Sequence, residues 1–161
     1  LDRKIEKEGF TMQVRYSALF LGVLFLILGL AGFVPAFVSL PNIPAEAPIS
    51  APDILNSGYG YLFGLFPTNY LHNAVHLVVG ILGIAAFTSY SGSKVYLQGF
   101  TIAYVLIVIM GLLPGANTVF GIMPIFGNNV WFNALATGLA AYYGFFKTDE
   151  AAKNLSSPTG V

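Results

Sequence analysis

The residues best equipped for chemistry are His72 and His76, the two histidines of the chain, set four apart in NYLHNAVHLVVG with Asn69 and Asn73 beside them. On a helix that spacing puts both imidazoles on one face, about 6 Å apart along the axis. A second apolar stretch, GNNVWFNALATGLAAYYGF, supplies Asn129 and Asn133. Four chemistries fit this set. As structural groups, the histidines bond to Asn69, Asn73, Asn129, Asn133 or loop carbonyls and tie the loops to a helical bundle, because a buried imidazole must be hydrogen-bonded. As ligands of one metal ion they are suitably spaced but need two more donors, and neither an HExxH pattern nor a carboxylate within the apolar stretches supplies them, so no metal site is expected. As haem ligands they fail jointly, since axial ligands approach iron from opposite faces, although Met110 or Met123 could complete a His and Met pair. Chlorophyll is less demanding, because its magnesium needs one protein ligand. His72 and His76 are thus candidate axial ligands of a tetrapyrrole, with Asn73 and Asn133 as candidate contacts.

The elements that position these residues follow from composition. Only 9% of the 161 residues are Asp, Glu, Lys or Arg, 56% are hydrophobic and the net charge is zero, against about 25% charged residues in a typical soluble domain. The sequence therefore reads as an integral membrane protein. The absence of cysteine excludes disulfides, thiol chemistry and Cys-ligated metal centres. Four long uncharged stretches predict membrane-crossing helices at Tyr16 to Leu40, Asn69 to Tyr90, Val95 to Pro114 and Asn129 to Phe146. A run such as LFLGVLFLILGLAGFV is apolar throughout and lacks the alternation of a barrel strand.

All seven basic residues fall on one side of this arrangement: Arg3, Lys4, Lys7 and Arg15 before the first span, Lys94 between the second and third, Lys147 and Lys153 after the fourth. That side is expected to be cytoplasmic. The fold class is thus all-α, a polytopic membrane protein with four transmembrane helices and both termini cytoplasmic. Residues 1–15 form an extension, read as a solvated tail over its first eleven residues, 16–147 the four-helix domain, and 148–161 a mobile tail. The spans contain no formal charge, which argues against an ion-coupled carrier or proton pump. Nucleic acid is not an expected partner, because no basic stripe is present.

FGLFPTNYLHNAVHLVVGILGIAAF and FGIMPIFGNNVWFNALATGLAAYYGF look alike: at an offset of 60, Asn69, Asn73 and Gly80 fall on Asn129, Asn133 and Ala140. Spans one and three both close on Gly-x-x-Pro, at Gly32 to Pro35 and Gly111 to Pro114. Two helical hairpins repeated in one orientation are expected. Phe132, Ala136, Ala140 and Gly144 then match the histidine face of the second span, and the two faces are expected to meet near the bundle axis. Gly29 with Gly32, and Gly80 with Gly83, read as sites of close packing. The first connecting loop pairs the proline-rich PNIPAEAPISAPD with the aromatic ILNSGYGYLFGLFP; the second, GANTVFGIMPIFGNN, is expected to lie flat on the bundle. Trp131, Tyr142, Tyr143, Phe145 and Phe146 read as lipid-facing or interfacial anchors rather than a pigment groove.

RYSALFLGVLFLILGLAGFVPAF, GYGYLFGLFPTNYLHNAVHLVVGILGIAAF and GLLPGANTVFGIMPIFGNNVWFNALATGLAAYYGF together resemble the bacterial four-helix membrane family of domain of unknown function 4383, with NxxHNxxH after GLFP as the most specific piece. The resemblance covers about Met12 to Lys147 and implies a topology without an activity. Family members often carry a further histidine in the fourth span, where this chain has Phe132. The expected role is a non-enzymatic integral membrane subunit packing within a larger photosynthetic or respiratory complex, in a bacterial inner or thylakoid membrane. Its expected contacts are lipids and other integral subunits, with chlorophyll or haem as candidate cofactors at His72 or His76. The alternatives are a redox or quinone-handling enzyme, on a looser similarity in layout to DoxX-type proteins, and a small-solute channel. Single cysteines placed at Lys94 and Lys147 in this cysteine-free chain should react with an impermeant maleimide from the same side of sealed vesicles; labelling from opposite sides would contradict the topology.

Overall fold

A computed structural model describes residues 2–41 and 58–147, with side chains from residue 8 onward. The helix α1 runs from Asp2 to Gly32, a short 3-10 turn covers Pro35–Phe37, and strands β1 (Val38–Ser39), β2 (Gly60–Leu62) and β3 (Phe66–Thr68) follow. Helices α2 (Tyr70–Ala86), α3 (Tyr90–Leu112) and α4 (Asn128–Ala141) complete the bundle, α4 running on into a π-helical turn over Tyr142–Phe146. The proline-rich residues 42–57, with Glu46 and Asp53, and the tail 148–161 lie outside the described residues.

Proline sets two of the helix ends. The residue before a proline is driven out of the α region, and Val34 and Leu113 are both extended, at φ −94°, ψ 110° and φ −94°, ψ 121°. Consequently α1 stops at Gly32, short of the expected Leu40, and α3 at Leu112. At its other end α1 continues through the charged segment expected to be a solvated tail. DRKIEKE holds good helix formers and no proline, and extending an existing helix costs far less than nucleating one. Between α2 and α3, Ser89 interrupts the apolar run because its hydroxyl caps Gly92 N at 3.0 Å.

The all-α expectation needs one correction: β1, β2 and β3 form a small antiparallel sheet at one end of the bundle. Val38 faces Leu62 in the register, and Leu62 faces Phe66. The β2–β3 turn is tight because Phe63 and Gly64 both adopt positive φ, 53° and 70°, the geometry that twists a hairpin with its strands. Phenylalanine is an unusual residue there, which is why the aromatic stretch did not read as a hairpin. The second connection, residues 113–127, folds over the same end in successive turns, held by Met123 N to Thr118 O at 2.8 Å and Ile125 N to Asn117 O at 2.9 Å. Ile125 is buried beneath it.

Close packing of α1 on α2 relies on glycine. A Cβ at Gly80 would lie 2.5 Å from Leu26 N, and one at Gly22 2.6 Å from Ile84 N, so the two backbones touch. Gly29, Gly32 and Gly83 are equally enclosed, as their spacing predicts. However, Gly80 meets α1 rather than the Ala136 and Ala140 stripe, and Gly144 rests on Leu97 of α3. The aromatic ring of Phe25 lies at the point where all four helices meet. It touches His76 of α2 at 4.9 Å, Phe100 and Tyr104 of α3 at 5.2 and 5.3 Å, and Phe132 of α4 at 5.6 Å.

The outer surface of the bundle is apolar, including Ile81 and Leu82 on α2, Val95, Ile102 and Leu106 on α3, and Trp131 and Leu135 on α4. Two helical segments, Glu8–Gly32 and Tyr90–Leu112, are long and apolar enough to cross a membrane, while the apolar α2 has 17 residues. Phe25 has no exposed surface, and its truncation leaves a cavity bordered by every helix. Phe25→Ala should cost about 3–5 kcal/mol, read as a lowered unfolding midpoint in detergent; an unchanged midpoint would remove Phe25 from the centre of the packing.

Candidate functional site

His72 and His76 occupy the first two turns of α2, immediately after β3. The helix starts at Asn69, whose side-chain Oδ1 accepts the His72 backbone N–H at 2.9 Å, satisfying one of the N–H groups a helix start leaves unpaired. With the register fixed there, both imidazoles turn inward and are almost completely buried, at 2% and 8% relative exposure. Their Nε2 atoms lie 3.0 Å apart and the ring planes are at 74°. One ring therefore donates Nε2–H and the other accepts through a bare Nε2. The sequence suggests Asn69, Asn73, Asn129, Asn133 or loop carbonyls as partners; to these the structure adds the mutual Nε2 bond. The signal for it was present, since residues four apart on a helix are direct neighbours.

The tautomers follow from the surroundings. Nδ1 of His72 closes no hydrogen bond, yet the backbone acceptors beside the ring are the carbonyls of Pro124 and Pro67. With Nε2 turned to His76, Nδ1 is the nitrogen left for these carbonyls, where an N–H is attracted and a bare nitrogen would be repelled. His72 is thus assigned Nδ1–H with a bare Nε2, and His76 the donating Nε2–H.

Thr68, at the end of β3, donates its hydroxyl to Asn73 Oδ1 at 2.5 Å. Gly32 of α1 makes room for that amide, because a Cβ there would overlap the Asn73 side chain. Asn73 Nδ2 and Asn133 Oδ1 are buried without partners, and the Asn133 carbonyl accepts the Thr137 hydroxyl at 2.6 Å. Asn129 Nδ2 donates to Pro67 O at 2.7 Å and to Pro124 O at 3.2 Å. Asn69 Nδ2 reaches Ile122 O at 2.8 Å, and Asn128 Nδ2 reaches Leu65 O at 3.1 Å. Each helix start therefore holds the loop that precedes the other one. Asn128 and Thr68 were not singled out by their sequence positions; their roles come from loop geometry.

Two cavities of about 10 Å³ flank the histidines, each with room for about one water molecule. One is bounded by Thr68, Asn129, Phe66 and Phe132, the other by Tyr104, Met123, Ile125 and Asn133. The structure brings together His72 and His76, with Asn133 beside them, and turns Asn73 towards Thr68 and Gly32. Met123 approaches the pair, whereas Met110 is not among the residues bounding either cavity. Among the described residues no group of three or more His, Cys, Asp or Glu could hold a metal ion.

No curated protein and no solved structure matches the chain significantly. A family model does, over residues 15–146, which takes in α1 from Arg15 onward, the other three helices and both loops of the site. The chain belongs to the family defined by that domain of unknown function, DUF4383.

Proposed function

We propose that this protein is a four-span integral membrane subunit that associates side by side with other integral membrane subunits. The supporting observation is the apolar outer face of α3. Only 22% of its apolar window is buried, against 44% in α1. That face carries Gly99 and Ala103 four residues apart, both exposed, and a Cβ at Gly99 would meet nothing within 4 Å. Small residues so spaced let a neighbouring helix approach closely, which in lipid is a main source of helix association.

The interior supports a scaffold reading over a channel or a pigment protein. Phe25, Phe100, Tyr104 and Phe132 fill the bundle axis, and Phe100 stacks on Tyr104 at 4.0 Å, so a solute path would have to displace them. Aromatic rings also border the histidines, Phe25 against His76 and Phe132 on the adjoining cavity, so a tetrapyrrole would likewise have to displace them.

The reading also takes the bundle as two repeated hairpins. Phe63 with Gly64 and Phe120 with Gly121 match in sequence, and all four have positive φ, at 53°, 70°, 57° and 90°. The crossed asparagine contacts of the two helix starts support the same pairing.

Extracted in mild detergent, the native protein should migrate within an assembly larger than one chain. Gly99→Leu, which adds bulk to the α3 face without touching the interior, should release the monomer with its helix content unchanged. A wild-type monomer under the same conditions, or an assembly indifferent to Gly99→Leu, would overturn the proposal.

A further inference from the structure

We propose that the cavity between the histidine pair and the second loop is a binding site for a soft monovalent metal ion, Cu(I), held by Nε2 of His72, Nε2 of His76 and the thioether of Met123. The two imidazole nitrogens already converge at 3.0 Å from successive turns of α2. With metal to nitrogen bonds of about 2.0–2.1 Å, that separation corresponds to an angle of about 95° at the ion, and a few tenths of an ångström of opening would reach tetrahedral or trigonal values. Met123 borders the same cavity as both histidines and Asn133.

The unsatisfied polar atoms also point to a cation. Asn133 Oδ1 belongs to a side chain 2% exposed and has no donor. Asn133 borders the cavity, and a bare carbonyl oxygen in its lining is stabilised by a cation. Because Nε2 of His72 faces His76, Nδ1 is the nitrogen left to meet the neighbouring Pro67 and Pro124 carbonyls, and a proton there leaves Nε2 free to donate its lone pair. Such a carbonyl behind an imidazole is the usual orienting partner of a histidine ligand. Binding needs no net loss of a proton. His76 exchanges Nε2–H for Nδ1–H, and both rings then ligate as neutral imidazoles.

Charge and softness select the ion. The donors are all neutral, and no Asp, Glu or Cys borders the cavity. The cost of moving an ion into a low-dielectric interior grows with the square of its charge, so a divalent ion is penalised about four times as heavily as a monovalent one. Thioether sulfur favours Cu(I), and imidazole is compatible with it. Zn(II), which has the same preference for histidine, would lack both the charged ligand and the second hard donor that usually stabilise it.

The full chain, purified in detergent with a histidine-free affinity tag, is titrated anaerobically with Cu(I) in ascorbate against a chromogenic Cu(I) chelator. One Cu(I) per chain should be withdrawn from the chelator, and the X-ray absorption spectrum should contain both nitrogen and sulfur scatterers. Met123→Leu keeps the size and helix content of the protein and should weaken binding at least tenfold, since even outer-sphere partners of a metal are worth about 10–100-fold. His76→Leu should abolish binding, Ag(I) should compete, and Zn(II) should not. Failure of the wild type to retain copper, or a Met123→Leu variant that binds as the wild type does, would overturn the site. Displacement of the copper by Zn(II) would overturn its assignment to a monovalent ion. Because the site is internal, its loss would leave the Gly99-dependent assembly intact.

Discussion

The structure depends on the burial of two imidazoles against one phenyl ring. The rings of His76 and Phe25 stand at 79° to each other, and Phe100 and Tyr104 approach Phe25 at 82° and 85°. These edge-to-face contacts suit the quadrupole of an aromatic ring, and they come from helices that are far apart in sequence. With Phe25 at the crossing, α2 cannot rotate to carry its histidines into solvent. The imidazoles must therefore satisfy each other inside the protein, and at i, i+4 they can.

That burial dictates how the sheet end is built. Both loops bring main-chain carbonyls close to the histidines, and these would be costly without donors. Asn129 donates to both of them and Thr68 turns its hydroxyl to Asn73, while Asn69 and Asn128 tie carbonyls of the two loops nearer the surface. The result is a cap with a polar inner surface under an apolar exterior, where Phe63, Leu65, Phe120 and Ile122 are exposed.

Much of this was legible in the residues. The Gly-x-x-Pro closures marked where α1 and α3 end to within a few positions, because proline acts locally on the residue before it. Gly29, Gly32, Gly80 and Gly83 announced close packing, and all four are enclosed. The histidine pair could be placed on one helix face from spacing alone. Less visible were features that depend on tertiary geometry: the small sheet, which needs a phenylalanine at positive φ; the direction of Gly80, which faces α1 and not α4; and the mutual His72–His76 bond, which competes with asparagine partners equally near in sequence. Met123 was legible as a ligand type, yet only the fold of the second loop places it beside both imidazoles.

The claim at the centre of this account is that His72 and His76 are neutral, buried and joined Nε2 to Nε2. Solid-state NMR of the ¹⁵N-histidine-labelled, metal-free protein in lipid vesicles tests it directly. Two inequivalent rings are expected, His72 protonated at Nδ1 and His76 at Nε2, with coupling across the hydrogen bond and slow exchange into D₂O. Two rings with the same tautomer, or imidazole protons that exchange at once, would contradict it.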